Sequence, residues 1–258
     1  MNVLETNVLH ASDVVYWLDG TTHSDPNAMQ RIAHPLEILL EEFPKDLRLI
    51  NSSGKTGLLR KPTLDIIDGR ATEAQRSFTT EANYAVVGSV QDPKNFYNAR
   101  RFTLSAGNAN GHGIVLYPTP MGSRVTAIGG LYASLRWDGN NEPVVWAIAA
   151  LSISIPGMAQ PQIYRGQTDH RGELIIPWSK IPPLSTGQSH YSATLSLQAL
   201  DSARGGVPID PSSLVAAELE SLSSATTFSN LLTGINVIPG ERLIIRSAAK
   251  DHLTVKPS

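Results

Sequence analysis

Leu131-Tyr132-Ala133-Ser134-Leu135-Arg136-Trp137-Asp138 is the stretch that decides the fold class of this chain. Leu131, Ala133, Leu135 and Trp137 alternate with Tyr132, Ser134, Arg136 and Asp138. A period of two places one face of a β-strand in a core and the other in solvent. Leu195, Leu197 and Ala199 alternate with Thr194, Ser196 and Gln198 in the same way. Working outward, strands are expected at 124–128, 131–137, 144–155, 162–168, 173–177, 191–199, 235–238, 242–246 and 252–256. Further strands are expected at 47–51, 64–68, 84–90, 101–105 and 113–117, with turns at Ser52-Ser53-Gly54, Asp68-Gly69 and Asp92-Pro93. Short strands with regular Gly, Asn, Asp and Pro punctuation describe a sandwich or barrel.

Two segments have helical spacing. Leu36, Leu39, Leu40 and Phe43 lie between Pro35, a first helical position, and Pro44, a stop. Leu214, Ala217, Glu218 and Leu222 suit a short helix over 211–223, started by Asp210 or Ser212. The chain is therefore expected to be mainly β, with β-sandwich modules, short helices and an irregular N-terminal arm. The expected division is an arm with a short helix at 1–45, a first β module at 46–122 and a second β-sandwich module at 123–258.

Composition narrows function by exclusion. Of 258 residues, 41% are hydrophobic and 17% charged, and the formal net charge is −2. Nucleic-acid binding rests on clustered Lys and Arg, which this balance does not supply. There is no cysteine, so disulfides, thiol catalysis and Cys-ligated zinc are excluded. Residues 1–19 carry Glu5, His10 and Asp13 instead of a basic start and an apolar run, so no secretory signal is expected. The apolar stretch 143–155 is too short and too rich in Ser to span a bilayer, so no membrane insertion is expected.

Four features bear on chemistry. Gly54-Lys55-Thr56 resembles the end of a phosphate loop, but Leu49 stands where that loop needs its first Gly, and a β-turn explains it. The seven histidines make no His-x-His or i, i+4 pair, and the cluster of His10, Asp13, Asp19, His23 and Asp25 reads as a solvated segment. Asp169-His170-Arg171-Gly172-Glu173 holds an acid and a base, yet no Gly-x-Ser-x-Gly elbow exists in the chain. Asp169 and Gly172 suit a tight turn directly. Trp137, Trp146 and Trp178 read as core or rim anchors, with a sugar-binding platform as the competing use. No catalytic, cofactor-binding or metal residue is assigned.

A resemblance enters at residues 130–178. Gly130-Leu131-x-x-x-Leu135, Glu142-Pro143-Val144, Ala147-x-Ala149-x-Leu151 and Gly166-x-Thr168-Asp169-x-x-Gly172-Glu173-Leu174-x-Ile176 resemble the carboxypeptidase-regulatory-like (transthyretin-like) β-sandwich module. This covers about a fifth of the chain, and the pattern is structural, so it brings no catalytic residue. The longer central strand and residues 179–190 depart from the usual form. In overall layout the chain also resembles accessory proteins of phage-tail-like contractile injection systems. That likeness rests on the polar N-terminal segment, Arg100-Arg101-Phe102-Thr103-Leu104 and Val115-Leu116-Tyr117-Pro118-x-Pro120-x-Gly122. It implies a baseplate, tail or cap component made in the cytoplasm and incorporated into a particle.

The functional expectation is a non-enzymatic structural subunit whose partners are other protein subunits. A stand-alone carbohydrate- or protein-binding module is the alternative. The candidate interaction residues are Tyr16, Trp17, Leu36, Leu39, Leu40 and Phe43, because two apolar clusters in a polar segment call for burial against a partner or the chain's own modules.

Overall fold

The computed structural model describes residues 13–60, 66–67, 70–71, 83–107, 109–122, 129–178 and 181–257. The strand expected at 124–128, most of that at 64–68 and residues 1–12 lie outside the described residues. The fold is mainly β, with about 50% strand and only 3% helix.

The first unit contains β1 (Asp13–Asp19), β2 (Gln30–Arg31), β3 (Glu37–Glu42), β4 (Leu47–Ser52), β5 (Lys55–Arg60), β6 (Ile66–Ile67), β7 (Arg70–Ala71), β8 (Tyr84–Gln91), β9 (Arg100–Ala106) and β10 (Gly111–Leu116). One sheet runs β10-β1-β5-β4, with β2 added on β1; the other runs β3-β8-β9. Their facing sides share one core, in which Val15, Trp17, Leu58, Val90, Phe102 and Ile114 are buried. Trp17 meets Phe102 edge-on across the two sheets, with ring centroids 5.9 Å apart. Its indole N–H donates to Thr56 Oγ1 at 3.0 Å, so the polar end of the buried ring is satisfied.

These contacts correct the expected arm. Over residues 13–45 the N-terminal segment belongs to the first unit, and β1 is an interior strand, paired on one side with β10 and on the other with β5. The run Val14-Val15-Tyr16-Trp17-Leu18 supplies a β-branched, aromatic strand that buries alternate residues. Asp13 anchors its start: the buried carboxylate accepts N–H bonds from Gly107 (2.6 Å) and Asn110 (2.9 Å), which fixes the β9–β10 bend.

The helix expected over 35–43 is instead β3. Its antiparallel ladder with β8 satisfies the backbone, while Ile38 and Leu40 pack on the core. An isolated two-turn helix is marginal, so tertiary pairing overrides the leucine spacing. A bulge between Leu40 and Glu42 shifts the register near its end.

The second unit contains β11 (Gly130–Trp137), β12 (Ile148–Ser154), β13 (Gln162–Gln167), β14 (Glu173–Pro177), β15 (Tyr191–Ala199), β16 (Val215–Glu220), β17 (Phe228–Ser229), β18 (Leu232–Val237), β19 (Arg242–Ile244) and β20 (Leu253–Pro257). The strand path is β13-β12-β15-β16-β20-β11-β14, and Leu131, Leu135, Leu151, Leu195, Leu219 and Val255 lie in its core. Its ends close on each other, since a Cβ at Gly166 would collide with the Ile175 carbonyl. The helix expected over 211–223 reduces to a 3-10 turn at Pro211–Ser213, followed by β16. Asp210 does cap that turn, accepting the Ser212 N–H at 3.0 Å. Chain propagation as helix loses to insertion of β16 between β15 and β20, which buries Ala217 and Leu219.

The units meet at a built joint. Asn98 Nδ2 donates to the Gln167 carbonyl at 3.0 Å, and the Arg101 N–H donates to the Ile209 carbonyl at 3.0 Å. Ala99 packs with Val145, Trp146, Leu200 and Ile209 beside these bonds. Burial pulls the Arg100 guanidinium below its ordinary value, against the attraction of Asp210.

Candidate functional site

The six candidate interaction residues separate into buried and exposed sets. Trp17 is only 3% exposed and belongs to the core, so it is no docking residue. Tyr16 is half-buried, with the Arg31 guanidinium 4.2 Å above its ring. Leu36 and Leu40 pack on the first unit's core. Leu39 is 69% exposed and Phe43 46%, and these two carry the surface.

Leu39 lies on β3, an outer strand of its sheet. Among the described residues β3 pairs with β8 alone, whereas the other outer strand, β9, is covered where Arg101 bonds Ile209. An outer strand leaves alternate N–H and C=O groups free to pair with another chain. Glu37, Glu41 and Glu42 flank Leu39 along the same strand. Glu41 is bonded by Arg101, with Nη2 to Oε2 at 2.6 Å, and Glu37 accepts from Gln91 Nε2 at 3.0 Å. The hydrogen bond to Glu41 holds the Arg101 guanidinium above its ordinary value. The surface is thus an apolar spot on a charged, extended strand. Backbone pairing would give affinity there, and Leu39 and Phe43 would give specificity.

In the acid-base turn the Asp169 carboxylate is taken up by its own turn. Asp169 Oδ1 accepts N–H bonds from Arg171 (2.8 Å) and Glu173 (3.0 Å), and Oδ2 meets the Arg171 guanidinium at 3.0 Å. Gly172 has φ 79°, and a Cβ there would lie 2.6 Å from the Leu135 carbonyl. Asp92 is spent similarly, on His34 Nε2 at 2.8 Å and on the amides of Lys94, Phe96 and Tyr97. Both turns line a cleft of about 200 Å³ at the joint, together with Trp146. Trp146 has φ 59°, a rare state for a bulky residue, and its indole N–H donates to the Arg204 carbonyl at 3.0 Å. Sequence reasoning missed this feature, since no local signature marks a tryptophan in the left-handed region.

All four tryptophans are buried, which removes them as a sugar platform. A second cleft, of about 380 Å³, lies between the loop 20–24 and residues 158–165. It is lined by His23, Gln160, Gln162 and Tyr164, among others, and burial pushes the Tyr164 phenol up to about 12. Among the described residues no group of three His, Asp or Glu side chains is placed to hold a metal ion, and no helix is long and apolar enough to cross a membrane.

No protein-family model matches the chain, and no curated protein matches it. Among solved structures it is similar to the Bacillus anthracis TIE protein, with 13% identity, a TM-score of 0.22, and coverage of 86% of this chain and 34% of that one. A protein from Bacteroides ovatus described as a candidate adhesin shows 8% identity and a TM-score of 0.20, over 77% of this chain and 75% of that one. A leucine-rich repeat protein from Bacteroides thetaiotaomicron shows 8% identity and a TM-score of 0.22, over 96% of this chain and 26% of that one. The chain therefore spans about a third of the length of the TIE protein. The class that fold and surface define is a mainly-β chain of two docked sandwich units in which, among the described residues, β3 is an outer strand.

Proposed function

We propose that this chain is a non-enzymatic structural subunit of a larger protein assembly, a phage-tail-like or contractile injection particle, in which it serves as a baseplate, tail or cap component. The observation that carries the reading is the exposed pair Leu39 and Phe43 on and beside the strand β3, which among the described residues pairs on one edge only and so suits strand addition. The joint supports it, because the buried Asn98 and the backbone of Arg101 each hydrogen-bond across to the second unit, which suits a part that joins others. The resemblance of residues 130–178 to a regulatory-like sandwich module is consistent with a role without chemistry.

Fractionation of producing cells by sedimentation tests this. The wild-type chain is expected in a particle fraction, and a double variant, Leu39→Lys with Phe43→Ser, in the supernatant at unchanged thermal midpoint. Equal recovery of both in the particle fraction would overturn the reading. A binding-module reading has the cleft beside Tyr164 in its favour. A glycan-array signal that disappears in Tyr164→Ala would move weight to it.

A further inference from the structure

Arg165 is a half-buried cation on β13, where its backbone pairs with Ala150. Its neighbour Tyr164 packs on the second unit's core, so the two-residue period of the strand turns Ile163 and Arg165 to the other face. There Arg165 lines the cleft of about 380 Å³ between the loop 20–24 and residues 158–165. Among the described residues no carboxylate pairs with its guanidinium. A charge partly withdrawn from water without a counter-ion calls for one.

The cleft wall bears no Asp or Glu among the described residues. Two carboxylates flank the loop in sequence, and both are taken up. Asp19 accepts from the Thr21 N–H at 2.9 Å, the Thr21 hydroxyl at 2.6 Å and the Tyr97 phenol at 2.8 Å. Asp25 accepts from the backbone and side-chain N–H groups of Asn27 at 3.0 and 3.2 Å. A Cβ at Gly20 would lie 2.4 Å from the Tyr117 ring, so that ring backs the loop. Burial raises the Tyr117 phenol above its ordinary value, and two guanidinium groups, Arg165 and Arg100, act against the rise. One cation in the cleft, a second behind it and a wall without carboxylates favour an anion.

The other polar groups suit hydroxyls more than further charge. Gln160 lines the wall, and Gln162 is oriented by the Tyr164 phenol, which donates to its Oε1 at 2.6 Å. His23 Nδ1 accepts the Asp25 N–H at 2.9 Å, which leaves Nε2 as the donor of that ring. Met158 and Ile163 are exposed and apolar. The volume falls within the range of about 300–1,000 Å³ usual for small-ligand sites. We propose that the cleft binds a hexuronate, the carboxylate-bearing residue of an acidic glycan. Arg165 takes the carboxylate through two parallel N–H bonds, Gln160 and Gln162 take ring hydroxyls, and Ile163 lies against the C–H face. The inference rests on the binding-module reading and names its ligand class, and it holds whether or not the chain sits in a particle.

Titration calorimetry on the purified full chain tests it, with glucuronate and galacturonate beside glucose, galactose and acetate. Each uronate is expected to bind roughly tenfold more tightly than its neutral sugar and than acetate, and more weakly at high salt. Arg165→Gln is expected to keep the thermal midpoint and to lose the preference for the uronate. Gln160→Ala, at an exposed position, is expected to weaken uronate binding about threefold and to keep that preference. It decides the matter if Arg165→Gln does not fold: unchanged uronate affinity in Gln160→Ala would then overturn the proposal. Equal affinity for uronates and neutral sugars would also overturn it, as would a folded Arg165→Gln chain that binds like the wild type. Acetate bound as tightly as the uronates would do the same, leaving an anion site without sugar recognition. If neither uronate binds, the proposal fails; a neutral glycan whose array signal is lost in Tyr164→Ala would then keep the binding-module reading without it.

Discussion

Gly172 shows how one residue holds a turn that looked like a catalytic cluster. With φ 79° and the Leu135 carbonyl 2.6 Å from where a Cβ would stand, any side chain is strained and crowded there. Gly172→Val is expected to destabilise by about 1–3 kcal/mol in denaturant melts. His170→Ala, at an exposed position in the same turn, is expected to leave the midpoint unchanged. Glu220 is a residue that links stability to pH. Burial alone would raise its carboxyl, but the Lys250 ammonium at 2.7 Å, the Thr226 N–H at 2.8 Å, Thr254 and Ser247 together hold it down to about 2. A carboxyl lowered from 4.5 in the folded state stabilises above that value, and the contribution is lost as pH falls toward 2. Glu220→Gln is therefore expected to melt below the wild type at neutral pH. The gap should narrow across that acid window, and a gap independent of pH would refute the assignment.

At the scale of elements, β1 decides what the N-terminal segment is. Its two neighbours, β10 and β5, come from residues far along the chain, and β1 supplies Val15 and Trp17 to the shared core. Removing residues 1–45 takes β1, β2 and β3 together, and the first unit is expected not to fold. Limited proteolysis should then leave a protected fragment from the second unit alone. A truncated chain with an intact first unit would show that β1 is dispensable. Much of the sheet was readable in advance: the alternation at Tyr191–Ala199 and Gly130–Trp137 needs no partner to be recognised. β3 and β16 were not readable, because Leu36, Leu39, Leu40 and Leu214, Ala217, Leu222 fit a helical period as well as a strand. In both cases the backbone partners that settle the choice are distant: β8 for β3, and β15 and β20 for β16.

At the scale of the whole molecule, the joint converts two sandwiches into one part. Asn98 is buried, and its amide is the donor to the Gln167 carbonyl. Asn98→Ala removes that donor from a buried acceptor and is expected to cost about 1–3 kcal/mol. Calorimetry should show the effect as separation of a single transition into two, since each unit has its own core. A single transition shifted by less than this would place the coupling in the apolar cluster around Trp146 instead.

The amino-acid sequence by itself determined the β class, the strand-turn rhythm, the tight turn at Asp169 and Gly172 and the exclusion of cysteine chemistry. These follow from local rules of period, turn chemistry and composition, which act over a few residues. Tertiary structure alone decided that residues 13–45 are core strands and that Trp17 is buried while Leu39 and Phe43 are exposed. Each of those outcomes depends on which distant strand satisfies a given backbone edge, and an apolar residue looks the same in the sequence whether its partner lies within the chain or outside it.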